Sequence, residues 1–187
     1  MVDQLIALGV VVLSVTALAI HALRHREIAL RPAASPFFES LSKQVGRAAE
    51  AGTAIHVGLG HGGLVGQDGM TSVAALQGLN ALIDLSAAYD TPPYITSGDP
   101  TLYVLAAHRM RRAYARLGNV GRYRPTFVQF SAHNPLLYTA MAATLLKDRR
   151  VDTNIVMGTF GQEISLLTEA AQRGQAKTLG GTTTLEG

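Results

Sequence analysis

Residues 54–69 read AIHVGLGHGGLVGQDG, and this stretch decides the fold class. Ala54 to Leu59 form an apolar run of strand length, and residues 58–69 contain six glycines. A helical pattern from Met70 to Tyr89 follows at once. A buried strand, a glycine-rich turn and a helix are the start of a βαβ unit, in which a helix crosses over to a parallel strand.

The rest of the chain repeats this alternation of strand and helix. Ser35-Pro36 favours an earlier helix that ends near Ala51. Further strands are expected at 93–97, 126–131, 153–157 and from 176, with helices at 100–117, 134–149 and 160–173. Such alternation predicts an α/β domain over residues 36–187. Its doubly wound, mostly parallel sheet would be Rossmann-like, with about five strands.

An apolar segment precedes this domain. Residues 5–23 contain no Asp, Glu, Lys or Arg, and nineteen residues make about 28 Å of helix, close to the thickness of a bilayer core. A signal peptide is disfavoured because the leader Met-Val-Asp-Gln has no basic residue, and a core helix because a polar face is missing. We expect a single-pass transmembrane helix at 5–23.

Flanking charge predicts the orientation of that helix. Arg24, Arg26 and Arg31 follow the segment, whereas only Asp3 precedes it. The positive-inside rule then leaves residues 1–4 outside the cell and puts the basic linker 24–35 and the α/β domain in the cytoplasm, at the inner membrane.

The end of the sequence gives a separate expectation. Residues 180–187, GGTTTLEG, resemble a loop and a helix start after the fifth strand, with no helix to cover that strand. We expect either a domain truncated at its carboxyl end or a strand covered by another subunit.

The composition and the motifs that the sequence lacks exclude several kinds of catalytic and metal site. With 48% hydrophobic and 16% charged residues the chain is not disordered, and the absence of Cys excludes a disulfide framework, a thiolate metal site and a Cys nucleophile. No H-x-x-x-H pair, Walker A loop or G-x-S-x-G elbow occurs. No metal and no cofactor are therefore predicted, and no catalytic residue can be assigned.

The best candidate site is the carboxyl edge of the predicted sheet, because ligands of open α/β sheets bind there. Asp99 and Glu163 could supply carboxylates, whereas His56, inside the first strand, is expected to be a hydrogen-bonded core residue. The candidate ligand-binding residues are Gly58, Gly60, His61, Gly62, Gly63, Asp99, His133, Asn134 and Gln162.

The glycine loop is open to three interpretations. Gly58-x-Gly60-x-x-Gly63 matches the dinucleotide fingerprint, but residues 64–69 separate it from the next helix. The required acid is also misplaced, since Asp84 has nearly the right spacing but lies within the predicted helix, and Asp99 ends the second strand but is too far along. The loop could also cradle a phosphate or carboxylate with its backbone N–H groups. The interpretation we favour is a tight structural loop.

A basic patch is predicted on the second helix of the alternation. Arg109, Arg112 and Arg116 share one helical face. Nucleic acid, anionic lipid and a solvated or subunit-contact face would each explain the patch. We expect lipid or protein partners, including self-association, and no nucleic acid.

Several segments resemble an uncharacterised family of bacterial membrane-anchored proteins with an α/β domain. The resemblance is carried by ALRP (29–32), IHVGLG (55–60), TPPYITSGDPTL (91–102), AHNP (132–135) and GTFGQE (158–163). It implies a longer parent protein and assigns no activity.

Two functions remain open from the sequence. The first is a membrane-anchored cytoplasmic domain for binding, scaffolding or assembly of a membrane complex. The alternative is a nucleotide- or anion-binding domain, or an enzyme, that uses the glycine loop and the carboxyl edge.

Overall fold

The computed structural model describes residues 9, 11–17 and 36–181. The chain divides into two units, residues 1–35 and residues 36–187. In the first unit the described residues are helical and exposed, and the Thr16 hydroxyl donates to the Val12 carbonyl at 2.7 Å. The rest of segment 5–23, the linker 24–35 and residues 182–187 lie outside the described part.

The predicted transmembrane helix at 5–23 is wrong. No helix among the described residues is long and apolar enough to cross a membrane. The expected inner-membrane location and the orientation of the chain in that membrane both depended on this helix, so these two predictions are overturned as well.

The second unit alternates helices and strands. The helices are α1 (Pro36–Ala51), α2 (Gly69–Ala88), α3 (Pro100–Arg116), α4 (Pro135–Asp148) and α5 (Ile164–Arg173). The strands are β1 (Ala54–Gly60), β2 (Tyr94–Ser97), β3 (Val128–Phe130), β4 (Val151–Thr159) and β5 (Lys177–Gly181). Two short 3₁₀ turns, Val120–Arg122 and Pro125–Phe127, precede β3 and occupy the start of the strand expected at 126–131.

All five strands are parallel, in the order β3-β2-β1-β4-β5. The chain winds outward from β1 to β3, then crosses back so that β4 pairs with the other side of β1. Val57, for example, lies between Ile95 of β2 and Ile155 of β4. The reversal of winding direction makes the carboxyl ends of β1 and β4 a topological switch point, where open α/β sheets form a crevice.

Alternate residues of β1 face two different helix layers. Ile55, Val57 and Leu59 are fully buried in an apolar cluster with residues of α1, α2 and α3. A second cluster on the other face is built from α4 and α5, with Ala142 and Leu167 fully buried. Because both faces are covered, the central strands are apolar runs and not alternating ones.

Tight backbone packing ends β1. Gly60 has φ of +70°, and a Cβ built there would lie 2.0 Å from the Thr159 carbonyl oxygen. The backbone N–H of His61 donates to that same oxygen at 3.1 Å. Only a residue without a side chain allows β1 and β4 to approach each other this closely.

We expect Gly60→Ala to lower the free energy of unfolding by about 3 kcal/mol, since the new methyl group meets backbone in a conformation strained for alanine. The matched control is Gly46→Ala in α1, where nothing lies within 4 Å of the new atom. That change should stabilise the protein by about 0.5–1 kcal/mol. Urea unfolding of both variants measures the difference, and equal effects would contradict this account of Gly60.

Candidate functional site

The carboxyl edge brings together the loops that follow β1, β2 and β4. Gly98 N–H donates to the Gly60 carbonyl at 2.7 Å, and the Ser72 hydroxyl donates to the Gly62 carbonyl at 3.2 Å. A Cβ on Gly98 would lie 2.9 Å from the His61 Cβ, so the glycine permits the β1 and β2 loops to touch. The loops form one packed cluster at the switch point.

His61 and Glu163 form the central contact of this cluster. His61 Nδ1 lies 3.2 Å from Glu163 Oε1, and their side chains are 24% and 6% exposed. Glu163 Oε1 also accepts a hydrogen bond from the Gly161 backbone N–H at 2.8 Å. His61 Nδ1 is buried and makes no hydrogen bond of good geometry. Buried polar atoms without a good hydrogen bond are uncommon in folded proteins, and this contact is therefore the strongest candidate for a function at the edge.

Two further carboxylates lie where an anion would otherwise bind. Asp99 precedes α3, and its Oδ1 accepts from Leu102 N–H at 2.9 Å. Asp68 precedes α2, and its Oδ1 accepts from the Thr159 hydroxyl at 3.2 Å. The loops 61–68, 98–99, 131–134 and 160–163 contain no Lys or Arg. Negative charge therefore dominates this edge, which disfavours phosphate at these two helix starts.

The other predicted edge residues take simpler roles. Gly58 and Gly60 are buried in β1, and Gly63 lies beside the Asp99 carboxylate. Asn134 caps α4, because its Oδ1 accepts from Leu137 N–H at 3.1 Å. His133 and Gln162 are exposed. Among the described contacts, none joins His133, Asn134 or Gln162 to the His61–Glu163 pair.

The arginine patch lies on α3 against α2. Arg109 donates to the Leu76 carbonyl, and burial lowers the pKa of its guanidinium. Arg116 pairs with Asp84, whereas Arg112 is exposed and has no hydrogen-bond or ion-pair partner among the described residues.

A polar network crosses the interior below the candidate site. His56 Nδ1 lies 2.7 Å from Asn154 Oδ1, and its Nε2 lies 2.9 Å from the Thr96 hydroxyl. The Thr96 hydroxyl is 3.0 Å from the Tyr138 hydroxyl, and Asn154 Nδ2 donates to the Thr178 hydroxyl at 3.3 Å. With Asn154 Oδ1 as acceptor, the neutral His56 donates from Nδ1 and accepts at Nε2.

Tyr138 connects this network to the site. Burial raises the pKa of its hydroxyl to about 12, with a smaller contribution from the Glu163 charge. Its hydrogen bonds to Thr96 and to the Gly60 backbone act in the opposite direction. Tyr138 could not be predicted as part of the site, since a tyrosine in an apolar helix gives no signal of a buried hydroxyl partner.

A metal site is not apparent in the described part of the chain, where no three His, Asp or Glu side chains converge. The cluster instead offers one buried carboxylate, one imidazole and several backbone groups. Neither Asp68 nor Thr159 was predicted as a site residue, because they are 91 residues apart and meet only through the β1–β4 pairing.

A family model described as a domain of unknown function, DUF6754, matches residues 1–186. The chain belongs to this family. The uncharacterised family expected from the resemblance is thus confirmed, whereas its bacterial and membrane-anchored character is not shown. No curated protein and no solved structure matches this chain. The geometry of the site therefore carries the functional argument.

The buried network predicts acid sensitivity. Burial lowers the pKa of His56 from 6.5 to about 4, while the Asn154 hydrogen bond opposes the shift. The unfolded chain therefore binds a proton that the folded chain excludes, and the stability present above pH 6.5 is lost as the pH falls towards 4. The loss attributable to His56 should be about 3 kcal/mol.

Urea unfolding between pH 7 and pH 4 checks this expectation, with His56→Gln as the comparison. The variant should show a shallower loss of stability over that interval, because the titrating ring is gone. An identical pH dependence in both proteins would contradict the assignment.

Proposed function

We propose that this domain is a binding module for a small polar molecule, which docks at the carboxyl edge of the sheet beside β1 and β4. The proposal rests on the contact between His61 Nδ1 and Glu163 Oε1 at 3.2 Å, in which the carboxylate is almost fully buried. Burying a charge is costly unless it is paired, so side chains of this kind are often retained for a function.

The negative charges of the carboxyl edge favour a neutral hydroxyl-bearing ligand or an ammonium-bearing ligand over a phosphate. Glu163, Asp99 and Asp68 supply three carboxylates, and the surrounding loops carry no Lys or Arg. Carboxylates accept hydrogen bonds from hydroxyl and ammonium groups, whereas they repel the oxygens of a phosphate. These features weigh against the alternative function from the sequence, a nucleotide- or anion-binding site at this edge.

Binding is favoured over catalysis by the surroundings of His61. A histidine that activates a nucleophile lies within hydrogen-bond reach of a hydroxyl or thiol. The described polar contact of the His61 ring is the Glu163 carboxylate, and the chain has no Cys.

The bacterial origin that the resemblance implies stays a prediction.

A thermal-shift screen of the full chain tests this function, with nucleosides, sugars and primary amines on one side and inorganic phosphate and nucleotides on the other. We expect a member of the first group to raise the melting temperature in a concentration-dependent way, because it binds the folded state. Glu163→Gln should weaken that binding by about tenfold or more, since it removes the charge that the ligand contacts.

The matched control is Glu169→Gln on α5, which loses only an exposed ion pair with Arg173. Binding to this variant should equal that of the wild type. A screen without shifts in the first group, or binding that Glu163→Gln leaves unchanged, would contradict the proposal.

A second candidate function is assembly with another protein chain through the outer face of α4. Leu137 and Met141 lie one helical turn apart and are 55% and 43% exposed, and Leu136 beside them is 65% exposed. Exposed apolar side chains grouped on one helix face are typical of interaction surfaces. This observation supports the scaffolding or self-association expected from the sequence.

Sedimentation velocity over a range of concentrations tests this candidate. We expect the wild-type chain to self-associate and Leu137→Asp to be monomeric, because a buried charge would oppose the contact. Val104→Asp, at a side chain 60% exposed on α3, is the control and should behave as the wild type. A wild-type chain that stays monomeric throughout would count against assembly of identical chains.

A further inference from the structure

We propose that the groove between α2 and α3 is a second binding site, which takes the phosphate group of a small anionic ligand. The groove encloses about 470 Å³ and is lined mainly by Asn80, Asp84, His108, Arg109, Arg112 and Arg116. This volume is within the range of about 300–1,000 Å³ that is usual for small-molecule sites. The proposal does not depend on the carboxyl-edge site.

Charge gives the groove its preference for an anion. Three arginines and one aspartate line it, which leaves two positive charges in excess. The carboxyl edge has the opposite character, since Asp68, Asp99 and Glu163 lie there without Lys or Arg in the same loops. An anionic ligand is therefore attracted to the α2–α3 groove and repelled from the edge.

Two of the three guanidinium groups are already held in place. Arg109 donates to the Leu76 carbonyl of α2, and Arg116 pairs with Asp84 of the same helix. Because α2 positions both groups, a ligand loses less side-chain freedom when it binds them. The pair engages one terminal nitrogen of Arg116, so other N–H groups of that guanidinium stay available to a ligand while Asp84 holds it.

Arg112 is the lining arginine whose guanidinium has no described partner and can therefore bind the ligand. It lies three residues after Arg109 and four before Arg116, so all three share one helix face. Its guanidinium is exposed and has no hydrogen-bond or ion-pair partner among residues 36–181. Guanidinium groups bind phosphate oxygens with two parallel hydrogen bonds, a geometry that a lysine ammonium cannot reproduce. His108, also exposed, adds a polar group to the same wall.

A phosphate-bearing small molecule fits this groove better than an acidic protein segment does. The three lining arginines lie on one face of a single helix, α3, within about two turns. A phosphate concentrates its charge within this short span, whereas an acidic peptide would spread its charges beyond it.

Isothermal titration of the full chain with inorganic pyrophosphate tests the site. We expect measurable binding at low ionic strength that weakens as salt is added. Arg112→Gln should reduce the affinity by about tenfold or more, because it removes a charge-assisted contact. Since Arg112 makes no described contact, the variant should melt at the wild-type temperature, and Arg112→Lys should recover only part of the affinity.

Two controls separate this site from general electrostatics and from the carboxyl edge. Arg111→Gln removes the same charge from the neighbouring face of α3, outside the groove, and should leave pyrophosphate binding near the wild-type value. Glu163→Gln alters the edge site and should also leave it unchanged. Failure of the edge proposal therefore does not affect this test.

Three outcomes would overturn the proposal. One is the absence of pyrophosphate binding at low ionic strength. Another is an equal loss of affinity in Arg111→Gln and Arg112→Gln, which would indicate a diffuse charge effect. The third is a chain that binds an oligoglutamate peptide but not pyrophosphate, which would assign the groove to an acidic segment of a protein.

Discussion

The parallel pairing of β1 with β4 is the constraint on which the rest of this domain depends. β4 follows β3 in the chain yet lies beside β1, so the crossover reverses the winding direction and creates the switch point. The close approach of Gly60 to Thr159 completes that pairing at its carboxyl end. Without it Glu163 would not lie beside His61, since the two follow different strands.

The interior on the α4 and α5 side of the sheet is unusual for its polar content. His56, Thr96 and Asn154 lie on three neighbouring strands, and each finds a partner in the next. Buried polar groups stabilise a fold only when all of them are satisfied, so this network specifies one register of the strands. Tyr138 extends it to the backbone of Gly60, which links the core to the base of the candidate site.

The domain thus separates charge between two regions. Carboxylates gather at the end of the sheet, and guanidinium groups gather between α2 and α3. From the sequence, an anion at the glycine loop was one alternative to a structural loop, and lipid or protein was expected at the arginines. Asp68 and Asp99 lie at the helix starts where an anion would have bound, which disfavours an anion at that edge.

The sequence determined much of the local structure. Runs such as AIHVGL and TNIVM are apolar over strand length, and caps such as Asp99 and Asn134, each before a proline, mark helix starts by local hydrogen bonding. The same approach erred at residues 5–23, where hydropathy alone predicted a span, whereas no helix of the described residues is long and apolar enough to cross a membrane.

Only the tertiary structure decided which distant residues meet. The order of the strands, the contact of His61 with Glu163, and the capture of Arg116 by Asp84 all join residues separated by many positions. Such contacts depend on how whole strands and helices pack, and no local pattern of residues encodes that arrangement. Local elements and candidate residues could therefore be predicted from the sequence, whereas the contacts that join those residues into sites could not.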